Sequence, residues 1–139
     1  MFQKILLAVD GSAHSDKAAD YAAGLAAAFR AALFVVHAYP QTSDLLGYDD
    51  FERLVARRKA AGQTVLDRVR DRLKDYDVSL QEDLLEGPEA EAILASAGAH
   101  KVDLVVMGTR GLGTIEGMLF GSISRKVAQH APCPVLLAR

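Results

Sequence analysis

The sequence predicts an α/β protein with an open, parallel five-stranded sheet and helices on both faces. Three observations point there. Short apolar runs alternate with longer stretches of helical spacing, giving the order β-α-β-α-β-α-β-α-β. Most of the short runs are apolar almost throughout, the pattern of strands buried on both sides. The chain is 139 residues long, which suits one domain over 1–139, with no repeat, low-complexity tract or linker to divide it.

The elements follow in chain order. Residues 5–9 read as a first buried strand, ended by Asp10-Gly11-Ser12. Residues 15–29 read as a helix, because Ala19, Ala22, Ala23, Ala26 and Phe29 recur at helical spacing; a face made mostly of alanine permits close approach to a sheet. Residues 33–38 form a second buried strand. The polar, turn-rich stretch 40–50 reads as a loop, and 51–76 as a long helix with Val65, Leu66, Val69 and Leu73 on one side and arginines and aspartates on the other. The third strand, 78–85, alternates apolar and polar at first, as at a sheet edge. Gly87-Pro88 opens a helix reaching about His100, proline being suited to a first turn. A fourth strand at 102–107, a helix at 122–130 that stops before Pro132 and a last strand at 135–138 complete the chain.

Composition narrows the function classes. The formal net charge is -2, so no global basic field implies a nucleic-acid partner. The amino terminus carries an apolar run of only five residues before Asp10, too short for a membrane span or the apolar region of a signal peptide; a cytoplasmic protein is expected, with no membrane partner. Cys133 is the single cysteine, which excludes an internal disulfide and a cysteine metal cage, and it reads as a small buried hydrophobe. The four histidines have no metal-ligand spacing. No serine lies in a G-x-S-x-G elbow. The mixed charges of 57–74 read as a solvated helix face.

One connection needs more explanation. Between the fourth strand and the last helix lie 14 residues, 108–121, holding five of the chain's 11 glycines; strand-to-helix loops usually run about 2–6 residues. Glycines free backbone amides to turn inward around a ligand. The loop ends in Gly121-Ser122, where a helix amino terminus favours an anion. Ser122 reads as the N-cap or a direct phosphate contact, with Ser124 in the first turn. Asp10-Gly11-Ser12 closes the first strand at its carboxyl end, where open parallel sheets bind ligands. If strands one and four are neighbours, as in the order 3-2-1-4-5, the two loops face each other across the switch point. Asp10 then holds Mg²⁺ or a ribose hydroxyl, or else bonds its own turn. There is no P-loop lysine motif, and Gly111-x-Gly113 followed by Glu116 fits a dinucleotide fingerprint poorly.

These loops resemble the universal stress protein family. Its ATP-binding branch carries G-x2-G-x9-G-[ST], and Gly108, Gly111, Gly121 and Ser122 match it without a gap. The opening Ile5-Leu6-Leu7-Ala8-Val9-Asp10-Gly11-Ser12 and the closing His130-Ala131-Pro132-Cys133-Pro134-Val135-Leu136-Leu137 resemble the family's two ends; only 40–50 has no clear counterpart. The resemblance implies the sheet order 3-2-1-4-5 and ATP with Mg²⁺ as ligand. Gly108, Gly111, Gly121 and Ser122 would wrap phosphates and ribose, and Asp10, with Gly11 and Ser12 beside it, would lie near phosphate or metal. Ala38 would meet the adenine edge, a departure from the family's usual valine. Met107, Ile123 and Ser124 would complete the site, and Arg110, at a variable motif position, would neutralise phosphate or remain solvated. The resemblance also implies a homodimer through the last strand. The expected function is a nucleotide-dependent regulatory or stress-response module; a slow Mg-dependent ATPase and a nucleotide-free interaction domain are the alternatives.

Overall fold

The computed structural model describes residues 1–43, 45, 47–110 and 120–139. Nine elements follow the predicted order: β1 (Lys4–Ala8), α1 (Ala13–Phe29), β2 (Ala32–Tyr39), α2 (Tyr48–Arg72), β3 (Ser79–Glu86), α3 (Glu89–His100), β4 (Leu104–Gly108), α4 (Ser122–His130) and β5 (Val135–Ala138). All pairings are parallel, and the sheet order is β3-β2-β1-β4-β5. The expected topology is therefore the observed one.

Strand period two sorts the core into two halves. Ile5, Leu7 and Val9 of the first strand segment point to one face, with Leu33 and Val35 of β2 and Leu104 and Val106 of β4. There they meet Ala18, Ala19, Ala22, Ala23 and Ala26 of α1 and Leu66 and Val69 of α2. Leu6, Ala8, Phe34, Val36, Val105 and Met107 point to the opposite face, against Ala90, Ile93 and Ala97 of α3 and Val127 of α4. The five alanines of α1 are at most 1% exposed, which is what lets the helix lie close to the sheet. Phe29 departs from the expected stripe: it is 40% exposed at the helix end and meets Phe2 edge-on, ring centroids 5.3 Å apart.

Element ends moved for identifiable reasons. Helix α1 starts at Ala13, two residues early, because Ser12 caps it: its Oγ accepts the Ser15 N–H at 3.2 Å. Helix α2 starts at Tyr48, inside the stretch read as loop, with Asp49 and Asp50 in its first turn, where the helix dipole favours carboxylates. It ends at Arg72 rather than 76, in a turn closed by Tyr76 N–H to Leu73 O at 3.0 Å. Strand β4 starts at Leu104 because Lys101, at φ 53°, and Val102 still terminate α3, the Val102 N–H donating to Ala97 O at 3.1 Å.

Two exposed-charge clamps join α1 to α2. Arg68 holds Asp16 and Arg72 holds Asp20 through paired guanidinium bonds of 2.6–2.9 Å, and the Arg72 bonds hold the Asp20 carboxyl below the usual range. Exposed pairs contribute about 0.2–1 kcal/mol, whereas each fully buried Leu, Ile or Val contributes about 1.5–3. The apolar faces decide the fold.

Gly108 is required by packing. A Cβ there would lie 2.8 Å from His14 Cβ and 3.0 Å from the His14 carbonyl carbon, neither of which can swing away. Gly24, inside α1, meets nothing within 4 Å. Gly108→Ala should therefore lower stability by about 1–3 kcal/mol, while Gly24→Ala should raise it by about 0.5–1. Urea unfolding of both variants checks the opposite signs.

Candidate functional site

Strand β1 has β2 on one side and β4 on the other. The chain leaves β1 for α1 on one face and continues from β4 to α4 on the other, and among the described residues a crevice opens over the carboxyl end of β1. It holds a cavity of about 680 Å³, within the range of small-molecule sites. Its walls come from Ala8, Val9 and Asp10 after β1, from His37, Ala38, Tyr39 and Pro40 of β2 and its exit, and from Met107, Gly108, Thr109 and Arg110 of β4 and its exit. Gly121, Ser122, Ile123 and Ser124 of α4 close one end; Arg58, Ala61, Gly62 and Val65 of α2 and Glu89 and Ile93 of α3 line the rest.

The expected site residues thus converge with three exceptions. Gly11 and Ser12 are not on the cavity wall: Gly11 takes φ +85° in the turn, and Ser12 is engaged as the α1 cap. Gly111, with the rest of 111–119, lies outside the described residues. Asp10 both faces the cavity and stabilises its own turn, Oδ1 accepting the Ser12 N–H at 2.9 Å. Its backbone N–H donates to Ser15 Oγ at 3.1 Å, which pins the carboxylate's position.

The amino end of α4 corrects one expectation. Gly121, not Ser122, is the N-cap residue, at φ -79° and ψ 167°. The Arg125 N–H to Gly121 O bond at 3.1 Å closes the first turn one residue earlier than expected, so Ser122 is the first helical residue. Gly121 has no side chain to cap this helix, and helix first-turn amides carry the partial positive charge that attracts anions. The Ser124 hydroxyl lines the cavity but is buried, its proton directed to Thr109 O at 2.7 Å with Gly121 O in reach at 3.1 Å, tying the helix to the end of β4.

Arg110 donates from Nη2 to His14 Nε2 at 3.2 Å. Nε2 is then an acceptor, so the His14 proton sits on Nδ1, a buried atom with no partner among the described residues. His37 carries its proton on the same ring atom, Nδ1–H donating to Val9 O at 2.7 Å. On α2, Gly62 gives the His37 ring and Leu84 room, since a Cβ there would lie 2.7 Å from Leu84 Cδ1 and 3.1 Å from His37 Cδ2.

Two charged cavity residues are not among those the sequence points to. The charge pattern places Arg58 on a solvated face, yet it turns over the cavity and donates to Pro40 O, Gln41 O and, at 3.0 Å, Thr42 Oγ1, tying the β2 exit to α2. The 58-61-62-65 helical spacing was the available signal. Glu89 follows Gly87-Pro88, which had been read only as a helix start. It lies at the carboxyl side of β3, and the rule that ligands gather at strand carboxyl ends pointed to it. Burial pushes the Glu89 carboxyl above its ordinary range and the Asp10 charge adds to this, while His37 opposes it.

With the geometry in view, the relatives are decisive. The universal stress protein family model matches residues 1–139. The chain belongs to the universal stress protein family. A universal stress protein of Thermus aquaticus is 47% identical over 141 positions, with both chains covered in full; one of Bacillus subtilis is 34% identical over 151, again with full coverage of both. Among solved structures, a universal stress protein of Lactobacillus plantarum superimposes with a TM-score of 0.88 at 22% identity, covering 99% of this chain and 97% of that one. Another, a universal stress protein crystallised in complex with cAMP, has a TM-score of 0.77 at 30% identity, with the same coverages.

The electrostatics of Glu89 carry a pH dependence. A carboxyl that titrates higher folded than unfolded costs nothing below its unfolded value, and the cost grows as pH rises through the folded one. Glu89→Gln should therefore stabilise the ligand-free universal stress protein at pH 7 and lose that advantage toward pH 4. Thermal melts of both proteins across this range check it.

Proposed function

We propose that this universal stress protein binds ATP with Mg²⁺ in the crevice over β1 and acts as a nucleotide-dependent regulatory module. The observation that carries the reading is the cavity's polarity. The β4 side offers a helix amino terminus capped by Gly121, with Ser122 and Arg110; Asp10 follows the central β1; the β2 side offers Ala38, Tyr39 and the backbone, and Glu89 enters from the start of α3. A phosphate tail suits the β4 side, and a base the β2 side. The relative solved with cAMP supports an adenine nucleotide as the ligand class.

Mg²⁺ fits Asp10 only in company with the nucleotide. No group of three or more His, Cys, Asp or Glu side chains able to hold a metal occurs among the described residues, so a protein-only site is not built. Mg²⁺ commonly takes one or two carboxylates together with phosphate oxygens and water, and Asp10 can supply one ligand. Bound there, the ion would neutralise phosphate charge close to a carboxylate that otherwise repels it. Arg110 would leave His14 to meet the phosphates, and the first-turn amides of α4 would need no rearrangement. Isothermal titration with ATP and Mg²⁺ is expected to show binding well below ~1 mM; absence of heat at that concentration removes the reading. Phosphate release followed in parallel decides between binding and slow hydrolysis: turnover that Asp10→Ala abolishes would convert the proposal into an ATPase.

The free side of β5 supports a homodimer. Among the described residues this strand pairs only with β4, and Val135, Leu136 and Leu137 stay partly exposed. An edge strand with apolar side chains is suited to pairing with a second copy. Sedimentation equilibrium should give twice the 14.9 kDa chain mass; a single-chain mass at micromolar concentration would overturn it.

A further inference from the structure

Glu89 is the unexplained group of the cavity. It is the first residue of α3, half-buried, and its side chain lines the crevice. No hydrogen bond or ion pair reaches it among the described residues; its only electrostatic neighbours are Asp10 and His37. A carboxylate placed out of water normally gains donors to offset the desolvation. An acidic residue suits a helix start, but Glu91, in the same first turn, also does so while pairing with Lys126 on the surface. The dipole therefore does not require a second acid facing inward.

We infer that Glu89 reads the sugar of the bound nucleotide, accepting a hydrogen bond from a ribose hydroxyl. The inference rests on the nucleotide reading above and adds the group that selects within it. The Glu89 charge repels phosphates, which have a better partner at the α4 amino end. The base has Ala38 and Tyr39 at the β2 exit. Between them, at the ends of β1 and β2, lies the part of the cavity whose charges Glu89 feels. The ligand portion between phosphate and base is the ribose, whose hydroxyls are the donors a lone carboxylate lacks. Gly87 N–H, bonded to Tyr39 O at 2.7 Å, fixes the backbone from which Glu89 projects, so the acceptor is held by the sheet rather than by a mobile chain.

The experiment compares binding of ATP, 2′-deoxy-ATP, 3′-deoxy-ATP and ITP to the wild-type protein, Glu89→Gln and Glu89→Ala by titration calorimetry. Thermal melts establish that each variant is folded. The wild type should bind at least one deoxy analogue about tenfold or more weakly than ATP, the scale of a hydrogen bond to a charged group. Glu89→Ala should erase that preference, and Glu89→Gln, which keeps an acceptor oxygen, should retain part of it. A deoxy penalty undiminished in Glu89→Ala overturns the inference while leaving nucleotide binding intact. So does a Glu89-dependent loss with ITP instead, which would place the acceptor on the adenine amine. Failure of every nucleotide to bind the wild type overturns the functional reading itself.

Discussion

The structure depends on one constraint, the position of β1 between β2 and β4. A parallel strand with neighbours on both sides, entered early and flanked late, forces the chain to build one half of the sheet outward through β3. It must then return across the opposite face through α3 to begin the other half at β4. The helices that follow β1 and β4 lie on opposite faces, so neither of them covers the carboxyl end of β1. The cavity is a consequence of this path rather than a feature added to it, and Asp10 occupies it because it is the first polar residue past the strand.

Holding β1 centrally is the work of its side chains. Ile5, Leu6 and Leu7 are fully buried, alternating between a core half covered by α1 and α2 and one covered by α3 and α4. A one-residue slip in register would exchange the two halves. It would set Ala8 against the alanine face of α1, where the smaller volume leaves a gap, and drive Val9 toward α3. The ion pairs between α1 and α2 are too exposed to set this arrangement; they trim the orientation of two helices already docked by alanine and leucine.

The fold was legible because its signals are redundant. Four strands are readable from near-continuous apolar residues and the third from its alternation, while the helices show in spacing or in their start and stop residues, so an error in one does not displace the others. What failed was local. Tyr48 to Asp50 looks like loop by polarity, but acidic residues also begin helices, and sequence alone does not say which applies. Ser122 looked like a cap because serine caps helices; the position was taken one residue earlier by Gly121, whose carbonyl accepts the first helical bond. In the site, residues next to recognisable turns were found, whereas Arg58 and Glu89 were not. Both sit on helices that also carry exposed charges, Arg57 and Lys59 around one and Glu91 after the other. Their inward direction depends on where each helix docks, which is a tertiary fact. Composition averages over it.

The glycine-serine motif, read as a single ligand signature, is physically composite. Gly108 is small because α1 starts against it at His14, a demand that holds with or without a ligand. Gly121 has an ordinary extended backbone, so no strain requires glycine there; as a cap residue without a side chain, it supplies no side-chain acceptor to the helix amides beneath it. Ser124 makes the same junction rigid by bonding Thr109 O, with Gly121 O in reach. One end of the motif thus seals β4 to α1, and the other keeps a helix terminus open and steady. An anion arriving in the crevice meets donors held at fixed positions, whose orientation was already set when the sheet and helices packed. Binding there would gain from preorganisation, and it would draw that gain from the same contacts that hold β4 beside β1.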